Sequence, residues 1–213
     1  MKRILIFANG ELPNLEAAHR LLQPNDFIIC ADGGTLHALA LGLLPNVIIG
    51  DLDSLPDGFQ PSSQTEVIRF SHDKNETDLE LAIQYALTLK VDEIVIVAAL
   101  GGRFDQTLGN ISLLSDSRLA ASNMQINDGV EEIFFCRSQT IVKGRSGDIV
   151  SLIPWGGEVR GVVTENLKWP LRSETLYPYK TRGISNEMLG ETASVKIKSG
   201  LLLVVHKFNL EYI

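Results

Sequence analysis

Apolar residues in the first half of the chain come in short, largely unbroken runs, at residues 3–8, 27–30, 47–49, 67–70 and 93–100. A run of this length with no polar face predicts a strand covered on both sides, as in a parallel sheet. Each run stops at a polar cluster: Asn9-Gly10, Ala31-Asp32-Gly33-Gly34, Gly50-Asp51-Leu52-Asp53-Ser54, Ser71-His72-Asp73-Lys74-Asn75-Glu76 and Gly101-Gly102-Arg103-Phe104-Asp105. Helical periodicity separates several of the runs, notably over residues 77–89 and 105–114. Strand–helix alternation of this kind predicts a parallel α/β sheet. Ligands of open α/β sheets bind beyond the carboxyl ends of the strands, which is where every one of these clusters falls.

The pattern changes from about Ile133. Short β-prone runs at 148–154, 159–163, 193–197 and 201–206 are punctuated by Gly and Pro, and helical periodicity nearly disappears. This predicts a small antiparallel sandwich or barrel. The expected fold class is α/β, with a parallel-sheet, nucleotide-binding catalytic domain over residues 1–136 followed by a small all-β sandwich domain over 137–213.

Composition narrows the partners. The chain has 213 residues, 45% hydrophobic and 21% charged, which is ordinary globular composition with room for a substantial core. A net charge of −7 with no visible basic patch argues against a nucleic-acid backbone as ligand. The acidic balance suits a protein that recruits a divalent metal. Cys30 and Cys136 both lie in apolar runs and read as reduced core residues of a cytoplasmic protein, not as a disulfide framework. The opening apolar run is too short for a signal peptide, and no stretch approaches transmembrane length, so no membrane role is expected.

The chemistry centres on Asp51 and Asp53. They alternate just past a buried strand, so their side chains fall on the same side of an extended backbone. Two such anions repel each other unless a cation sits between them, and Mg²⁺ commonly joins one or two carboxylates to a substrate phosphate. The same residues also make an ordinary Asx-type turn. Thr77 and Glu80 fit a capping box, which leaves Asp78 as a favourable charge at the helix dipole or as a third metal ligand. Asp32 with Gly33 and Gly34 either lets a backbone approach a nucleotide closely or simply turns the chain. Gly101, Gly102 and Arg103 precede a helix N-terminus, a position that favours anions, and the planar fork of Arg103 suits phosphate. The alternative for Arg103 is an ion pair with a nearby acid such as Asp105, and for Lys74 a solvated loop position instead of a phosphate contact. There is no Walker A pattern, no GxGxxG after the first strand, no nucleophile elbow and no zinc-like histidine spacing. The residues by themselves lead to a Mg²⁺-dependent phosphate or nucleotide site made of carboxylates, with hydrolysis and transfer both open.

Taken as an ordered set, Asp32-Gly33-Gly34, Gly50-Asp51-Leu52-Asp53-Ser54, Thr77-Asp78-Leu79-Glu80 and Gly101-Gly102-Arg103-Phe104-Asp105 resemble the thiamine pyrophosphokinase family. Asn166-Leu167-Lys168-Trp169-Pro170-Leu171 and Gly183-Ile184-Ser185-Asn186-Glu187 look like that family's thiamine-binding segments, with Trp169 where bacterial members often carry Tyr. The resemblance covers almost the whole chain. It implies transfer of the β,γ-diphosphoryl group of ATP to the hydroxyethyl oxygen of thiamine, giving thiamine diphosphate and AMP. It also implies a homodimer whose active site is shared between subunits. By motif match, Asp51, Asp53 and Asp78 would hold Mg²⁺. Asp32, Gly33 and Gly34 would border ATP, with Lys74 and Arg103 at its phosphates. Arg103 and Asp105 would lie near the acceptor, where Asp105 could take the hydroxyl proton. Trp169, Ser185 and Asn186 would meet thiamine, a flat cation suited to an aromatic face; without the family, Trp169 reads as a core residue of the second domain.

Two rivals stay in view: a related transferase acting on a hydroxymethylpterin, and a nucleotide-sensing module without activity. Trp169 and Ser185-Asn186 argue for thiamine over the pterin. The full set Asp51, Asp53, Asp78 and Arg103 argues against a sensor, which needs no metal cluster. A Mg²⁺-dependent phosphohydrolase would explain the first half and leave the second without a task.

Overall fold

The five apolar runs of the first half form strands in a computed structural model that describes residues 3–209. They are β1 (Arg3–Phe7), β2 (Phe27–Ala31), β3 (Val47–Gly50), β4 (Glu66–Arg69) and β5 (Glu93–Val97), joined by β6 (Asn123–Asn127). These six strands pair in parallel in the order β6-β5-β1-β2-β3-β4. Ile4, Leu5, Ile6 and Phe7 of β1 and Ile94, Val95 and Ile96 of β5 are completely buried, as strands at the middle of a covered sheet must be. β4 differs: it lies at the edge, beyond β3, and both Glu66 and Arg69 face solvent.

The α-helices among the described residues are α1 (Leu15–His19), α2 (Gly34–Ala40), α3 (Asp78–Thr88) and α4 (Phe104–Leu113), and α2 packs on β1 and β2. α3 buries Leu79, Leu81, Ala82, Ile83 and Ala86 and packs on β1, β2 and β3. Its start is the one the sequence predicts, with Thr77 as N-cap and its hydroxyl accepting the Glu80 N–H at 3.2 Å. The Glu80 carboxylate accepts instead from the Gln84 amide, so the capping is one-sided. Gly34, at the start of α2, is needed for packing: a Cβ there would lie 2.0 Å from the Phe7 carbonyl oxygen.

The remaining strands are antiparallel: β7 (Glu131–Cys136), β8 (Gln139–Lys143), β9 (Ile149–Pro154), β10 (Val159–Glu165), β11 (Arg172–Leu176), β12 (Asn186–Glu187), β13 (Thr192–Lys196) and β14 (Leu202–Lys207). β12, β9, β14 and β7 are neighbours in that order within a large mixed sheet, and β11-β10-β13-β8 form a second, antiparallel sheet. Burial alternates along β9 and β13, the period-two signature of strands with one face on a core. Val150, Leu152, Leu202 and Val204 from one sheet and Val142, Val162, Leu176 and Val195 from the other belong to a single apolar cluster.

The chain is thus a mixed α/β fold. Its internal contacts divide it into two units, Met1–Gly129 and Val130–Ile213. The division falls ahead of β7 because that strand pairs along its whole length with β14. Among the described residues, no helix is long and apolar enough to cross a membrane.

Candidate active site

The chain runs outward from β1 through β2 and β3 to β4, then returns to the other side of β1 to add β5 and β6. β1 and β5 therefore flank the point where strand order reverses, and the loops beyond their carboxyl ends diverge to leave a crevice. A cavity of about 650 Å³ lies there in the first unit. The ends of β1 to β5 contribute to its wall: Asn9 and Glu11 after β1, Asp32 after β2, Asp51 and Asp53 after β3, His72, Lys74 and Asp78 after β4, and Gly101, Gly102 and Arg103 after β5.

Carboxylates dominate one side. Oxygens of Asp32, Asp51 and Asp78 lie within 4.8 Å of one another, and a second group joins Asp51 and Asp53 to His72. Asp51 belongs to both. The Asx-type turn and the carboxylate cluster coexist: the Asp53 N–H donates to Asp51 Oδ1 at 3.3 Å, across Leu52 with φ of 68°. Asp53 and His72 are exposed, whereas Asp32 is buried. Gly50 keeps the space between Asp32 and Asp78 open, since a Cβ there would stand 3.0 Å from the Asp32 Cβ and 3.2 Å from Asp78 Oδ1. Lys74 is the resident cation on this side, its Nζ 2.5 Å from Asp78 Oδ1.

The opposite wall is the turn leading into α4. Gly101 and Gly102 both have positive φ. Arg103, the N-cap residue of α4, pairs with Asp105 through Nε–Oδ1 at 3.1 Å and Nη2–Oδ2 at 2.6 Å. This ion pair is the alternative that the sequence offered for Arg103. The hydrogen bond from Arg103 holds the Asp105 carboxyl below the usual carboxylate range. As placed, Asp105 is a weak proton acceptor, and it does not line the cavity, while Arg103 does.

The three residues assigned to thiamine are all in the second unit. Trp169 is half exposed, so it is not a core residue. Asn186 is buried beneath it: its Oδ1 accepts the Trp169 N–H at 3.0 Å and its Nδ2 donates to the Trp169 carbonyl at 2.7 Å. Both ends of the Asn186 amide thus brace the Trp169 backbone, and the indole is left half exposed. Lys168 Nζ lies 5.0 Å from the Trp169 ring centroid. Ser185 is exposed with φ of 56°, and its N–H donates to Ser151 Oγ at 3.0 Å.

Several lining residues went unremarked in the sequence. Glu11 Oε1 accepts the Gly102 N–H at 3.0 Å, and a Cβ on Gly101 would lie 2.7 Å from Glu11 Oε2. Asn110 Nδ2 donates to the Ala99 carbonyl at 2.8 Å. Outside the lining, His37 Nε2 lies 2.9 Å from the carbonyl oxygen of Gly10, tying α2 to the loop after β1. His72 reaches the carboxylates only through the fold. Its place after β4, in a polar cluster at a strand end, was the signal available for it.

Family models described as the catalytic domain and the vitamin B1 binding domain of thiamin pyrophosphokinase match residues 18–127 and 138–202. A thiamine pyrophosphokinase of Bacillus subtilis is 27% identical over 212 residues, covering 96% of this chain and 98% of that protein. The crystal structure of a thiamine pyrophosphokinase from Bacillus subtilis superposes with a TM-score of 0.86 at 24% identity, over 98% of this chain and 100% of that one. A 6-hydroxymethyl-7,8-dihydropterin pyrophosphokinase of Pyrococcus furiosus is 32% identical, but over only 49% of this chain and 47% of its own length. Both halves of the sequence are matched in order, and the chain belongs to the thiamin pyrophosphokinase family.

Proposed function

We propose that this chain transfers the diphosphoryl group of ATP to the hydroxyl of thiamine, giving thiamine diphosphate and AMP. The observation that carries this reading is a carboxylate-lined cavity at the strand ends of a chain matched by both the catalytic and the vitamin B1 binding models. The pterin relative reaches only half of the chain and leaves the second unit unexplained.

The cavity is the nucleotide site in this reading. Asp32, Gly33 and Gly34 border ATP, and Lys74 and Arg103 face its phosphates. Asp51, Asp53 and Asp78 suit Mg²⁺: they are hard oxygen donors clustered in one wall, with room kept open by Gly50. The ion would neutralise charge on the transferring phosphates. The protein's own part is positioning and electrostatic stabilisation, which supply most of the catalysis of such transfers. Asp105 acts on the reaction by orienting the Arg103 fork, since their ion pair weakens it as a proton acceptor. Trp169 stacks on thiamine, Asn186 fixes the backbone beneath it and Ser185 flanks it. The second unit is read as a β-sandwich. The protein is a homodimer in which thiamine segments and ATP cavity of different subunits complete each active site. The unpaired, buried Cys30 and Cys136 suit the reducing cytoplasm.

The test is a product assay with purified protein, ATP, Mg²⁺ and thiamine, resolving AMP, ADP and phosphate. AMP formed only with thiamine, and matched by thiamine diphosphate, is the expected result. ADP and phosphate independent of thiamine would make the protein a hydrolase. Turnover with a hydroxymethylpterin instead would move the assignment to the rival transferase. Size-exclusion chromatography with light scattering reads the dimer.

A further inference from the structure

Trp169 already has a cation at its ring. The ammonium of the preceding residue, Lys168, lies 5.0 Å from the ring centroid, inside the range of a cation–π contact. The same Nζ pairs with Glu187 Oε2 at 2.8 Å. Backbone bonds hold the two partners in register: the Lys168 N–H donates to the Glu187 carbonyl at 2.9 Å, and the Leu189 N–H to the Asn166 carbonyl at 3.0 Å. Leu167 and Met188, which bridge the two segments, are buried. Ammonium, carboxylate and indole are thus fixed by one short antiparallel contact within the second unit.

A cationic substrate meets a problem here. The face of an aromatic ring attracts a cation through its quadrupole, but a second cation at the same ring is repelled by the first. Thiamine carries a fixed positive charge on its thiazolium ring, so an uncompensated Lys168 would oppose its stacking on Trp169. We propose that Glu187 is a specificity-determining residue for the charged acceptor: by pairing with Lys168 it cancels the ammonium at Trp169 and lets the indole take a positively charged ring. The proposal rests on Trp169 as the thiamine contact and adds the residue that makes this contact tolerate charge. Lys168 then covers part of the ring without competing for it, and the half-exposed remainder receives the substrate. Lys168 is exposed and Glu187 partly so, and an ion pair of that kind adds little to stability. Its effect falls on what binds beside it.

The experiment compares two acceptors under saturating ATP: thiamine, and a neutral isostere in which carbon replaces the positively charged ring nitrogen. KM and kcat are measured from AMP formation at low ionic strength, where charge effects are largest. The proteins are the wild type, Glu187→Gln, Lys168→Met and the double variant, with a thermal melt of each. Glu187→Gln is nearly isosteric and is expected to raise the KM for thiamine about 2–5-fold, the size of an exposed cation–π contact. Its kcat, its KM for the isostere and its Tm are expected to stay at wild-type values. Adding Lys168→Met should restore the thiamine KM, and Lys168→Met alone should not weaken thiamine relative to the isostere. An equal rise for both acceptors would make the pair a staple between two segments and overturn the proposal. So would an unchanged thiamine KM, or a rise that the double variant keeps, which would mean that Glu187 acts on thiamine without Lys168. A wild type that turns over thiamine while the variants give any of these results loses this inference alone. A wild type with no thiamine turnover loses the thiamine reading and this inference together.

Discussion

Trp169 and Asn186 divide one task between them. Asn186 braces the Trp169 backbone from both ends of its amide, its Oδ1 also accepting the Glu187 N–H, and the indole is half exposed. An exposed cation–π contact is worth about 0.5–1 kcal/mol, or about a 2–5-fold change in affinity. Trp169→Ala should therefore raise the KM for thiamine by about that factor, leave the KM for ATP unchanged and scarcely move Tm. Steady-state kinetics in both substrates check this; a parallel rise in both KM values, or a collapse in Tm, would return Trp169 to a structural role. Asp53→Asn is the complementary case. Asp53 is exposed and its hydrogen bonds are local, with Ser54 Oγ at 3.2 Å and from its own N–H to Asp51, while His72 Nε2 lies 4.0 Å from Oδ2. Turnover is expected to be lost while far-UV circular dichroism and Tm stay at wild-type values. Retained turnover would remove Asp53 from the essential set.

At the scale of elements, α3 links stability to the site. Its first residue is Asp78, so whatever fixes the helix start also fixes that carboxylate in the cavity wall. Thr77 supplies the cap alone, because Glu80 pairs with Gln84. Loss of such a cap costs about 1 kcal/mol. Thr77→Ala should lower stability by about that amount in urea denaturation, and should weaken activity through fraying at Asp78. Full activity at unchanged stability would show that packing of Leu79 and Ala82 alone holds the helix start. The dipole reading of Asp78 and the site reading thus describe the same position, since a first-turn carboxylate serves both. The turn before α4 shows the same economy: Glu11 accepts the Gly102 N–H and thereby shapes the approach to Arg103.

At the scale of the whole molecule, both thiols are buried, one in each unit. Burial pushes the Cys136 thiol up from 9.0 to about 11, and Cys30 is raised further by the same cause. The folded protein therefore holds these protons where the unfolded chain has released them. Stability from this source is complete below about pH 9 and declines as pH rises towards 11, because the unfolded state ionises first. Melts under reducing conditions should show a falling Tm across that window. A thiol reagent at pH 8 should find no reactive cysteine in the native protein and both in denaturant. Rapid native labelling would contradict the burial.

The sequence by itself determined the first five strands, the helix start at Thr77, the change to antiparallel strands and the set of strand-end clusters that form the cavity. These are local or periodic properties: an apolar run, a capping residue and a Gly-Asp turn carry their meaning within a few residues. The resemblance of the ordered motifs determined the family. Strand β6 and the two-residue β12 were not legible, because their mixed and polar residues form strands only through the partners β5 and β9. Which residues meet was decided by tertiary structure alone. Asp32 joins Asp51 and Asp78 because β2, β3 and the start of α3 converge, His72 meets Asp53 only across two loops, and His206 is buried between Asp148 and Glu132, 3.0 Å and 3.3 Å from their oxygens. No spacing along the chain encodes these distances. They follow from strand order, and strand order is fixed by long-range pairing, which sequence periodicity does not contain.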